Sequence, residues 1–181
     1  VFDLLKTAGA DRIMSVDLHA AQSQGFFDGP VDHLIAMPVL VDYIRDRFSN
    51  QLDNVAVVSP DAGRIRVAEQ WAQRLGGGPL AFVHKTRDIT RPNQAVANRV
   101  VGDVAGKDCV LVDDLIDTAG TIAGACNVLK DAGAKSVTVV ATHGVLSGPA
   151  VDRLKNCGAR EVVLTDTVPI PEEKRWDGLT V

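Results

Sequence analysis

The chain has 181 residues, 46% of them hydrophobic and 23% charged, with a formal net charge of −4; this is ordinary globular composition, enough for one domain or for one domain plus a piece of another. An acidic balance with few aromatics and no basic stripe argues against a nucleic-acid surface. No apolar run reaches membrane-spanning length, no signal-peptide pattern opens the chain, and the isolated Cys109, Cys126 and Cys157 suit neither a metal site nor paired bridges, which points to reduced thiols and a cytoplasmic setting.

Val1 to Gly9 opens as if in mid-helix, without an initiator methionine, and Arg12 to Leu18 reads as a strand. We expect residues 1–36 to finish a domain that begins outside this chain, with turn-rich Phe26–Val31 as a linker, and residues 37–181 to form a second domain. Pro38 suits a first helical turn ahead of Leu40, Tyr43, Ile44 and Phe48. Val55 to Val58 reads as a strand, and Ile65, Ala68, Ala72 and Leu75 as one face of a helix that Gly76-Gly-Gly-Pro79 stops. Further strands are expected at Leu80–Val83, Cys109–Val112, Val137–Ala141 and Val162–Leu164, with helices near 118–132 and 148–157. Such alternation predicts an α/β fold, a parallel sheet with helices on both faces, whose functional loops follow the C-terminal strand ends. After the expected strand Leu80–Val83, Lys85 and Arg87 open a polar stretch through Arg91-Pro-Asn93 that reads as a long exposed loop, and a Lys-x-Arg pair there is ordinarily a solvated face.

The run Val110-Leu-Val-Asp-Asp-Leu-Ile-Asp-Thr-Ala-Gly-Thr121 carries the most chemistry. An apolar strand runs into two acids, then a small hydroxyl-rich turn, then a helix with Ile122, Ala125, Cys126 and Leu129 on one face. Asp117, Thr118, Gly120 and Thr121 offer backbone N–H groups, hydroxyls and a positive helix end, a combination suited to a phosphate dianion. Asp113 and Asp114 would repel that phosphate, but they suit vicinal sugar hydroxyls or a screening metal. The same spacing also reads as a helix N-capped by Asp117 or Thr118, and spacing alone leaves both readings open. Neither a P-loop nor a Gly-x-Gly-x-x-Gly fingerprint is present.

Asp113 to Thr121 resembles the phosphoribosyl-binding motif of type I phosphoribosyltransferase-like folds, in the form used by the ribose-phosphate pyrophosphokinase (phosphoribosyl-pyrophosphate synthetase) family. Val16-Asp-Leu-His-Ala-Ala-Gln-Ser-Gln-Gly-Phe-Phe27, Val58-Ser-Pro-Asp-Ala-Gly63, His84-Lys-Thr-Arg87 and Ala141-Thr-His-Gly-Val-Leu-Ser-Gly-Pro-Ala150 match that family in order, so the resemblance covers almost the whole chain. It implies transfer of the diphosphoryl group of Mg-ATP to the C1 hydroxyl of ribose 5-phosphate, giving 5-phosphoribosyl 1-pyrophosphate and AMP. By the same resemblance, Asp113, Asp114, Asp117, Thr118, Ala119, Gly120 and Thr121, with Arg87, hold ribose 5-phosphate. Lys85 and Arg87 are the catalytic pair of a mobile loop, and His19 and Asp61 hold Mg²⁺, although oxygen ligands suit that ion better than imidazole.

The spacing from Arg87 to Arg91 is slightly longer than in some relatives, which leaves the loop's conformation open. The family is commonly a homohexamer activated by phosphate and inhibited by ADP; Gln24 and Asp32 lie in the segment resembling its effector surface, where His33 departs from the usual residue. The family's Phe-x-Asp-Gly-Glu and Arg-Gln elements, which contact adenine, do not occur here, so the isolated chain is expected to be inactive. A phosphoribosyltransferase sharing the cradle and a non-catalytic regulatory subunit are the alternatives; the former needs a nucleobase hood that the sequence does not reveal, and retention of Lys85, Arg87 and the cradle speaks against the latter.

Overall fold

The computed structural model describes residues 1–86 and 97–181, with Lys85, Thr86, Ala97 and Asn98 placed through their backbone only. Helix α1 (Phe2–Thr7) leads to β1 (Ile13–Val16), a 3₁₀ turn (Ala21–Phe26) and β2 (Val31–Leu34). These two strands pair in parallel, Ile13 opposite Val31 and Val16 opposite Leu34. The stretch expected as a linker therefore delivers a strand before helix α2, and the crossover that parallel pairing requires is made by the 3₁₀ turn.

The rest builds a seven-stranded sheet: α2 (Met37–Arg47), β3 (Val55–Ser59), α3 (Ile65–Arg74), β4 (Leu80–Thr86), β5 (Ala97–Val101), β6 (Asp108–Ile116), α4 (Gly120–Asp131), β7 (Ser136–Gly144), α5 (Ala150–Asn156), β8 (Glu161–Leu164) and β9 (Leu179–Thr180). Its order is β5-β4-β3-β6-β7-β8-β9, parallel throughout except for antiparallel β5. From β3 the chain winds one way, through α3 to β4; from β6 it winds the other way, through α4 to β7. The reversal between β3 and β6 opens a crevice at their C-terminal ends, where ligands of open parallel sheets bind.

Alternation along the strands divides the core. Val55, Val57, Val110 and Val112 face α2 and α3, where Ile44, Ala68 and Trp71 are buried. Ala56, Val58, Cys109 and Leu111 face α4 and α5, where Ile122, Leu129 and Leu154 are buried. Both faces being covered explains the continuous apolar runs.

Two expected boundaries move. Strand β6 continues through Asp113 and Asp114 to Ile116, and α4 starts at Gly120 instead of Thr118. The pairing gives the reason: β3 accompanies β6 only to Leu111, whereas β7 pairs with it as far as Ile116. The acids thus ride on a strand end that has lost β3 on one side and opens onto the crevice.

At the other end of β6, Asp108 is 1% exposed and accepts from Lys135 Nζ (2.8 Å), Ser136 Oγ (2.7 Å) and Asn54 Nδ2 (3.3 Å). Burial alone raises this carboxyl, but the three donors outweigh it and hold the group below its ordinary value. Its contribution to stability is therefore present above the unfolded-state value and lost as pH falls through the lower folded one. Asp108→Ala is expected to cost about 2 kcal/mol by urea denaturation near neutral pH, because it strands three donors. The gap to wild type should close as pH drops below about 4; an equal gap in strong acid would remove the carboxylate from the account.

Candidate active site

At the reversal, a cleft of about 660 Å³ empty volume is lined by His19, Asp61, Arg64 and the continuous run Asp113 to Ile122. It brings together His19, Asp61, Asp113, Asp114, Asp117, Thr118, Ala119, Gly120 and Thr121, all singled out from the sequence. Lys85 lies in the last turn of pairing at the C-terminal end of β4, its backbone opposite Asn98; Arg87 and the remainder of the expected catalytic loop lie outside the described residues.

The loop from β6 to α4 is held from behind. Ile116 O accepts from the N–H groups of Val145 (3.0 Å) and Leu146 (3.1 Å), Asp117 O from that of Ser147 (3.0 Å), and Thr118 O from Arg153 Nη1 (2.8 Å). With three successive carbonyls engaged, the loop turns through Ala119, a buried non-glycine residue in the left-handed region at φ 58°. That conformation costs about 1–2 kcal/mol and persists only where the surroundings enforce it. Helix α4 then begins on Gly120 with no side chain capping it. Neither Asp117 nor Thr118 acts as the cap, so among the described residues the first-turn N–H groups have no side-chain cap, an arrangement suited to an anion.

Opposite the loop stand the acids. Arg64, on the turn between β3 and α3, donates through Nη2 to Asp114, and its Nε lies 4.0 Å from Asp113 Oδ1. His19 Nδ1 is 2.8 Å from Asp114 Oδ2 and 2.7 Å from Arg64 Nη2. One ring nitrogen either donates or accepts, so proton placement on His19 decides which neighbour it bonds. Asp113 Oδ1 accepts from Asp114 N at 2.9 Å. Burial and the adjacent Asp114 push Asp113 up to about 7, while Asp114, despite its own burial, is drawn below the ordinary range by the donors around it and the Arg64 charge. Asp61 points its Oδ1 at Gly63 N, 2.8 Å away, shaping the turn that presents Arg64.

His19 owes its position to a tie between the two sheets. Asp17, at φ 41°, accepts from Thr142 Oγ1 (2.6 Å) and Ala36 N (3.2 Å), and His143 Nε2 lies 3.0 Å from Val16 O. Nearby, Arg12 donates to Asp32 through Nη2 at 2.9 Å, and the Gln24 side-chain amide lies 3.1 Å from His33 Nδ1 while His33 Nε2 receives Leu18 N at 2.9 Å. His33 thus closes the turn that carries His19.

Among the described residues, no three His, Cys, Asp or Glu side chains gather closely enough to hold a metal by themselves. Mg²⁺ bound largely through phosphates and water needs only one or two protein ligands. The donors on this cleft fit that shared mode and not an all-protein cage. Sequence reasoning missed two residues. Arg64 directly follows the Asp61-Ala-Gly turn, and a cation at that place was a readable signal; Arg153 is brought to the loop by tertiary folding and left none.

A family model for the phosphoribosyl synthetase-associated domain matches residues 89–176. The chain is 96% identical over 181 residues to a ribose-phosphate pyrophosphokinase of Bifidobacterium longum, covering all of this chain and 53% of that protein. A crystal structure of phosphoribosylpyrophosphate synthetase from Mycobacterium smegmatis superposes with a TM-score of 0.91 at 61% identity, over 99% of this chain and 56% of that one. A purine phosphoribosyltransferase from Pyrococcus horikoshii shares the fold alone, with a TM-score of 0.50 at 20% identity over 77% of this chain and 83% of that one. The chain spans about half the length of the curated relatives it matches.

Proposed function

We propose that the chain belongs to the ribose-phosphate pyrophosphokinase family, to whose members it is 96% and 61% identical, and that in the whole protein it supplies the ribose 5-phosphate half of a diphosphoryl-transfer site. The reaction moves the β,γ-diphosphoryl group of ATP to the C1 hydroxyl of ribose 5-phosphate and releases AMP. The observation that carries this reading is the single cleft joining an uncapped, left-handed loop to an acid pair.

The 5-phosphate binds the N–H groups and hydroxyls of Asp117 to Thr121, and Asp113 and Asp114 accept from the ribose hydroxyls. Two anchors at opposite ends of the sugar fix its C1 oxygen for in-line attack on the β-phosphorus, so positioning takes the largest share of the work. Lys85 and Arg87 supply positive charge to the transferred group and to the departing AMP. Mg²⁺, held in part by His19 and Asp61, screens the triphosphate when bound. Residues 1–36 complete a separate domain that brings the adenine-binding elements, and the protein acts in the cytoplasm as a homo-oligomer, a hexamer by family habit, with phosphate and ADP as effectors.

The test compares the full-length protein with the isolated 181 residues in ATP, Mg²⁺ and ribose 5-phosphate. AMP release that depends on ribose 5-phosphate is expected from the former only. Its absence from the full-length protein would overturn the activity; its appearance from the isolated chain would overturn the division of labour.

A further inference from the structure

Arg64 is the residue at this site that the reaction, as proposed above, leaves without a task. Its side chain is 19% exposed and sits against carboxylates that are 15% and 12% exposed, so this is a shielded contact and not a solvated surface pair. It touches Asp114, comes within 4.0 Å of Asp113 and lies 2.7 Å from His19 Nδ1. One guanidinium thus engages the sugar-facing acid pair and the imidazole from the metal-binding side at once.

Positive charge that fills such a position competes with any other cation there. A divalent ion approaching His19 or the acids meets a fixed guanidinium a few ångströms away, and a diol approaching the acids finds lone pairs already engaged. Arg64 also has somewhere to go. Besides the main cleft it lines a second one, with Leu18, His33, Val67, Gln70 and Trp71, which Asp113 and Asp114 also border. The polar amide of Gln70 there offers a partner to a guanidinium that has let go of Asp114.

We propose that Arg64 is an internal counter-cation: it neutralises Asp114 in the unliganded protein, and it must release that carboxylate before a divalent cation or the sugar diol can engage. It is a positioning residue that sets the threshold for divalent-ion binding. This rests on reading the cleft as a cation-dependent sugar-phosphate site.

The test is titration of the full-length protein with Mn²⁺ alone, free Mn²⁺ being read by electron paramagnetic resonance without nucleotide. Arg64→Met is expected to bind Mn²⁺ about tenfold more tightly than wild type, a shift typical of removing one competing charge. Arg64→Lys, whose single ammonium cannot span Asp114 and His19 together, should fall between the two. Asp114→Asn added to Arg64→Met should abolish the gain. Equal or weaker Mn²⁺ binding by Arg64→Met would overturn the proposal, and should that variant not fold, unchanged binding by Arg64→Lys does the same. Failure of the proposed reaction is read separately: wild type without ribose 5-phosphate-dependent AMP release, but with tighter Mn²⁺ binding in Arg64→Met, sinks the activity and keeps the counter-cation.

Discussion

Asp113→Asn in the full-length protein is expected to lower kcat/KM for ribose 5-phosphate by about 100-fold, the size of a lost charge-assisted hydrogen-bond pair. The same change should leave the unliganded protein at least as stable as wild type above neutral pH. The two effects have one origin. Asp113 is buried beside Asp114, and its carboxyl is pushed up to about 7. A carboxyl whose folded value lies above its unfolded value holds its proton longer in the folded state, so folding stability falls as pH rises from about 4 to about 7. Asparagine removes that dependence while its Oδ1 keeps the bond from Asp114 N, 2.9 Å long in wild type. Thermal melts in chelator near pH 5 and near pH 8 are the check. The variant should gain on wild type between the two conditions, by about 1–2 kcal/mol after allowance for partial solvent access. A variant that loses ground on raising the pH would mean that Asp113 is stabilised as an anion, by Arg64, and is not a strained acceptor kept for ligand. The activity loss and the stability gain together would identify a group held against its own folding preference for the sake of binding.

What the sequence made legible here follows the range of the signals. Val55 to Val58 and Val110 to Val112 are buried on both faces, so their β-branched runs announce strands without help from anything distant. The loop before α4 is legible for a similar reason: Asp117 to Thr121 are contiguous, and the shift from strand to helix period falls inside them. The features that escaped depend on partners far along the chain. Strand β9 is only Leu179–Thr180, and it exists because those residues lie opposite Val162 and Val163. Strand β5 is antiparallel and reaches the sheet only through β4. The extension of β6 through Asp113 and Asp114 is imposed by β7, and its acids look like loop residues when read alone. The cap reading of Asp117 and Thr118 was equally reasonable locally. It fails because Val145, Leu146, Ser147 and Arg153 take the loop's carbonyls and set a turn in which no side chain reaches the helix start.

Lys85→Ala in the full-length protein is expected to reduce turnover by about 100-fold or more, with ribose 5-phosphate KM changing by less than about threefold, since charge stabilisation in diphosphoryl transfer acts on the transition state. The separation of the two constants follows from the sheet. The order β4-β3-β6 places a strand between Lys85 and the loop proposed to anchor the 5-phosphate, so loss of the lysine leaves that loop, its carbonyl bracing by Arg153 and the acid pair untouched. Arginine at this place keeps the charge but spreads it over a planar fork, so Lys85→Arg should recover only part of the turnover. Steady-state kinetics at saturating ATP, with ribose 5-phosphate varied, read both constants in one experiment. Unchanged turnover would take Lys85 out of the reaction, whereas a KM that climbs in step with the fall in turnover would move the lysine from the transferred group to the sugar phosphate.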